Sequence, residues 1–147
     1  MAIENADFNE TKGLPGLLFP HVPHSIESGF MQDSKNAGGG FPLFAKQGEP
    51  GKIWAKKPEG GSFIGIACRT NFDGLGCAGY DVGDQVNVLK KGRVWVRVLG
   101  EVKAGQAAYV NDTNFAITAT STGATAIAGG VFKSNAADGQ LAELEIA

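Results

Sequence analysis

The side chains with most chemical reach in this 147-residue chain are few: His21 and His24, Cys68 and Cys77, and Asp73, Asp81, Asp84 and Asp112. Zinc would need two ligands beyond the histidine pair, and the cysteines lie more than forty residues on without a Cys-x-x-Cys pair. Pro23 between the histidines spoils a helical presentation of both rings, so they read as solvent-exposed loop residues. A cysteine nucleophile wants a histidine base held by a third group, and nothing local supplies one. Cys68 lies inside the apolar run Ser62–Arg69 and reads as a buried, inert thiol; both cysteines are expected free, as in a reducing cytosol. The aspartates miss calcium-loop spacing, and each falls where turns use Asp for local backbone hydrogen bonds. Gly74, Gly76 and Gly79 make no phosphate loop, because no Gly-Lys-Ser/Thr follows and a strand comes next. The expectation is no catalytic residue, no metal and no cofactor.

What remains is contact chemistry. Lys90, Lys91, Arg93 and Arg97 form the one local basic cluster, at the predicted hairpin tip, suited to acidic protein, to phosphate or to plain solvation. Nucleic acid is not an expected partner: net charge is −2, and few aromatics beyond Trp95 stand near those cations to stack bases. No run of 18 apolar residues exists, so no membrane span is expected. The N-terminal MAIENADFNE is acidic and lacks an apolar core, unlike a signal peptide.

These side chains are positioned by strands. Val86 and Val88 alternate with Gln85 and Asn87; Val94, Val96 and Val98 alternate with Arg93, Trp95 and Arg97. A period of two puts each valine row on one face of a half-buried strand. Lys90-Lys91-Gly92 between the runs predicts a three-residue hairpin turn with Gly92 at the left-handed position. Turn signals at Asn111–Asn114 and Asn135–Gly139 space out the remaining runs. Strands are predicted near 63–69, 85–89, 93–99, 106–110, 115–118, 126–132 and 141–146, with a short edge strand in 51–58. Gly129-Gly130 marks a bulge or a close approach. With 22 glycines and this spacing, the chain reads as all-β: a small antiparallel β-barrel or jelly-roll-like sandwich with an extended N-terminal arm.

Residues 1–58 read as that arm and 59–147 as the β domain. All six prolines fall in the first part, so no helix of normal length fits there. Five of the nine phenylalanines fall there too, which sets the segment apart from an ordinary disordered tail. Phe8, Phe19, Phe30, Phe41 and Phe44 read as anchors for a surface, either this chain's own sheet or a neighbouring subunit. The arm is expected to be separable, so that removing residues 1–44 leaves a cooperative β domain.

Phe63–Arg69, Tyr80–Val88, Gly92–Val96, Val102–Val110, Ile127–Phe132 and Gly139–Ile146 together resemble the capsid cement (decoration) proteins of tailed bacteriophages. The resemblance implies a virion protein, made in the host cytoplasm, that sits on the outer capsid surface as homotrimers. It would bind the major capsid protein between coat subunits and stabilise the shell. From the residues themselves, Phe8, Phe19, Phe30, Phe41 and Phe44 with Lys90, Lys91 and Arg93 are the expected partner-binding residues. Two other classes stay open: a carbohydrate-binding β-module on a virion or fibre, and a small trimeric β enzyme such as a nucleotide hydrolase.

Overall fold

In a computed structural model, the described residues are 15, 16, 18, 19, 23–37, 39–68 and 79–147. Among them there is no helix, and nine strands carry the structure: β1 (Ser25–Met31), β2 (Pro42–Lys46), β3 (Lys52–Ile53), β4 (Gly61–Ala67), β5 (Gln85–Leu99), β6 (Ala107–Asn111), β7 (Ile117–Thr118), β8 (Ala124–Phe132) and β9 (Leu141–Ile146).

The spine is β5. The predicted hairpin at Lys90-Lys91-Gly92 does not form; the chain runs straight on as one 15-residue strand. Gly92 does take a conformation that favours glycine, with φ 132°, but the strand continues through it rather than reversing. Each half of β5 then belongs to a different sheet. Its second half pairs antiparallel with β9 from Gly92↔Ile146 to Arg97↔Leu141, and its end pairs with β7. β7 pairs β6, β6 pairs β8, and β8 returns to β9, which closes a five-stranded barrel. A barrel, not a jelly-roll sandwich, is the fold.

The first half of β5 pairs with β1 on one edge and β4 on the other, while β4 pairs β2 and β1 pairs β3. Just past β3, Trp54 and Phe44 exchange backbone hydrogen bonds of 2.8 Å, which brings this second sheet round on itself. The boundary expected at residue 58 therefore does not separate arm from body in this fold. Residues 25–53 supply three of the second sheet's five strands.

Burial follows from this arrangement. Val94, Val96, Ile117, Phe132, Ala142 and Leu144 fill the closed barrel. Met31, Leu43, Ile53, Val86 and Val88 fill the second core. Neighbouring residues in β2, β4 and β5 split between the two: Leu43 and Phe44, Ala67 and Ile66, Val88 and Leu89. Period two sends adjacent side chains to opposite faces, and here both faces are covered, one by each core. In β2 a register shift between Leu43 and Phe44 adjusts the fit. β4 and β5 approach so closely at Gly65 that an added Cβ would meet the Leu89 carbonyl oxygen and Val88.

Upstream of β1, residues 15, 16, 18 and 19 lie along the same edge of β5. Leu18 bridges Val94, the Gly16 N–H donates to the Trp95 carbonyl at 2.8 Å, and the Phe19 N–H donates to the Arg93 carbonyl at 3.1 Å.

Candidate partner-contact surface

The sequence-predicted anchors part company in the structure. Phe41 and Phe44 are buried, in the second core and the barrel core respectively. Phe44 packs edge-on against Phe63 and Phe115, and Phe41 edge-on against Tyr80. In this conformation neither ring is available to fill a pocket on a partner, because this chain's own strands already enclose it. Phe19 lies on its own barrel, 5.2 Å from Trp95 between ring centroids, with the Arg93 guanidinium 5.7 Å from its ring. Phe8 lies outside the described residues.

Phe30 alone among the described anchors is turned to solvent, 56% exposed. Its strand neighbours Gly29 and Met31 point inward, so the pleat directs Phe30 out. The position is stiff: β1 is hydrogen-bonded on both edges, and a Cβ at Gly29 would collide with Ile53. Beside it comes Val82, 68% exposed, which the sequence reading missed. Val82 sits in the turn Asp81–Asp84, where the Asp84 carboxylate accepts the Asp81 N–H at 2.7 Å. The same turn is tied to β1, since the Gly83 N–H donates to the Met31 carbonyl and the Met31 N–H to the Asp84 carbonyl, both at 2.8 Å. Valine at the tip of an Asp-Val-Gly-Asp turn was the available signal, because turn chemistry favours polar residues or glycine there.

The predicted basic cluster is mid-strand, not at a hairpin tip, and its charges are largely engaged. Lys90 is 3.7 Å from Glu27, and Arg93 donates to Glu145 through Nε at 3.1 Å and Nη2 at 2.7 Å. Glu143 lies 3.7 Å from Arg93, and Lys133 lies 3.8 Å from Glu145. Lys91 remains exposed. The Arg93 hydrogen bond holds the Glu145 carboxyl below the usual glutamate range, with the charges of Arg93 and Lys133 adding to it. A depressed folded-state pKa stabilises above the ordinary value near 4.3 and loses that contribution as pH falls through the folded value. Glu145→Gln is thus expected to lower the melting temperature at neutral pH and to match wild type in acid. The pair is partly solvent-screened, so the neutral-pH effect should not exceed about 1 kcal/mol.

The remaining chemical candidates resolve into structure. Cys68 is buried, and burial pushes its thiol up to about 12. In a Cys77→Ser variant it should resist a thiol reagent at mildly alkaline pH until the protein unfolds; rapid labelling of the folded form would contradict this. Asp112 accepts a hydrogen bond from the Thr125 hydroxyl at 2.7 Å. His24 is exposed, and His21, Asp73 and Cys77 lie outside the described residues. No group of three or more His, Cys, Asp or Glu among the described residues is placed to hold a metal ion.

The similar proteins point one way. No curated protein matches the chain. Among solved structures, the N base of head fiber gp8.5 in bacteriophage phi29 is similar, with a TM-score of 0.50 and 17% identity, over 85% of this chain and 95% of that one. At that identity the likeness speaks to the fold. A family model described as structural cement protein (E217 gp24/Pam3 gp6) matches residues 4–147. With that match running through both sheets and the shared spine, the chain belongs to the phage structural cement proteins, a family of virion components rather than enzymes.

Proposed function

We propose that this protein binds the outer face of the capsid between major capsid protein subunits, as homotrimers, and stabilises the shell. The observation that carries the reading is the pair of large apolar side chains, Phe30 and Val82, presented to solvent on backbone held by several hydrogen bonds. Exposed apolar groups on a rigid mount lose little conformational entropy on docking, which makes them effective anchors. Asp81, Asp84 and Gln85 border them, so the complementary coat surface is an apolar pocket with basic or amide groups at its rim. A protein that binds only assembled subunits stabilises the assembly by mass action. The likeness in fold to a head fiber base supports an outside position.

The test is addition of purified protein to shells that lack it, followed by sedimentation and electron microscopy. Phe30→Ser with Val82→Ser should fold normally and bind shells at least roughly tenfold more weakly, since each buried anchor contributes about 1.5–3 kcal/mol. Unchanged binding by the double variant would move the contact elsewhere. Density for isolated monomers or fivefold rings would overturn the trimer.

A further inference from the structure

A groove of about 330 Å³ opens beside Pro15, between the second sheet and the end of β5. Phe41, Pro42, Leu99, Phe115 and Ile117 give it apolar walls. Leu99 is 40% exposed there, an apolar side chain without full cover. Phe115 has φ 58°, and it is the one non-glycine residue at positive φ among those described. An aromatic in the left-handed region is uncommon and is a pointer to function rather than to packing alone. The preceding turn holds it: Asn111 Oδ1 accepts the Thr113 N–H at 2.8 Å and the Asn114 N–H at 3.1 Å, and the Phe115 N–H donates to the Asn111 carbonyl at 3.0 Å.

Two cations stand in the same groove. Lys35 Nζ lies 5.6 Å from the centre of the Phe41 ring, and Arg97 donates to the Gly139 carbonyl at 2.7 Å. Neither has a carboxylate partner among the described residues. Asp138 in the groove already accepts the Gly100 N–H at 2.7 Å. The fitting occupant is therefore an apolar anchor flanked by carboxylates.

The chain carries such a segment where it leaves the groove. Residues 1–14 lie outside the described residues, and Pro15 belongs to the groove wall. Upstream of it, Glu4-Asn5-Ala6-Asp7-Phe8-Asn9-Glu10 surrounds one aromatic with three carboxylates. From Phe8 to Pro15 the chain reaches at most about 25 Å, so a tethered segment meets the groove at high effective concentration. We propose that the groove receives this chain's own N-terminal segment, Phe8 against the apolar walls and the flanking carboxylates toward Lys35 and Arg97. This assigns Phe8 to its own subunit, and it holds or fails independently of the capsid reading, which is measured by shell binding.

Trypsin cleavage after Lys12 in the free, full-length protein tests it, because proteolysis follows the population of the open form. Wild type should be cut slowly there, and Phe8→Ser or Leu99→Glu should be cut roughly tenfold faster. Lys35→Glu should act likewise. Wild type cut as fast as Phe8→Ser would overturn the proposal. So would protection that fades on dilution, which would make a second copy the occupant, or protection seen only on shells, which would make it a coat segment.

Discussion

A chain beginning at Ala45 is expected to show no cooperative melting transition. Its loss includes β1 and most of β2, and with them Met31, Phe41, Leu43 and Phe44, all buried. At about 1.5–3 kcal/mol per buried side chain, the four contribute roughly 6–12 kcal/mol, an upper estimate because unfolded chains already bury some surface. That is comparable with the whole stability of a domain this size, roughly 5–15 kcal/mol. The truncation would also strip β5 of its β1 partner from Gln85 to Lys91 and β4 of three of its five β2 pairings. A chain beginning at Pro15 keeps every described strand and is the control; it should melt cooperatively. Circular dichroism on both proteins decides the matter, and a sharp transition in the shorter one would restore the separable arm.

Replacing Gly92 by valine should lower stability by on the order of 3 kcal/mol, and the melting temperature by roughly 10 °C. Two effects combine. At φ 132° a side chain is strained whatever space surrounds it, and an added Cβ would come within 2.7 Å of His24 Cβ. His24 leads directly into β1, so the collision pushes on the strand that covers the first half of β5. Gly100 gives the comparison: it has φ 79° with open space around the Cβ position. Asn tolerates that region, so Gly100→Asn should change little. Equal melting temperatures for Gly92→Val and wild type would mean that the positive φ at Gly92 is not a required feature of β5.

The same residue shows where sequence reading reaches its limit. Val86, Val88, Val94, Val96 and Val98 all share one parity. A hairpin turning at 90–92 would set Val88 opposite Val94 on one face, and an unbroken period of two along one strand would also keep the five together, whereas in the structure Val86 and Val88 lie in the second core and Val94, Val96 and Val98 in the barrel core. Local alternation fits both. The choice rests on pairings made far away in sequence, β1 and β4 on the first half and β9 on the second. Where pairing is local or the turn chemistry strong, the reading was legible: β9 falls where 141–146 was predicted, and Asn111–Asn114 turns between β6 and β7 as expected.

The phenylalanines divide in the same way. Their number among prolines and glycines already required a surface to cover them, because isolated extended chain cannot bury aromatic area. That need, the all-β class and the burial of Cys68 were properties of composition and period alone. Which surface answers the need was decided only by the tertiary structure: Phe41 and Phe44 inside two cores, Phe19 on the barrel wall, Phe30 in solvent. Period two specifies which side chains share a face. It carries no information on whether a second sheet of the same chain or a neighbouring molecule covers that face, since removing apolar area from water is equally favourable against either.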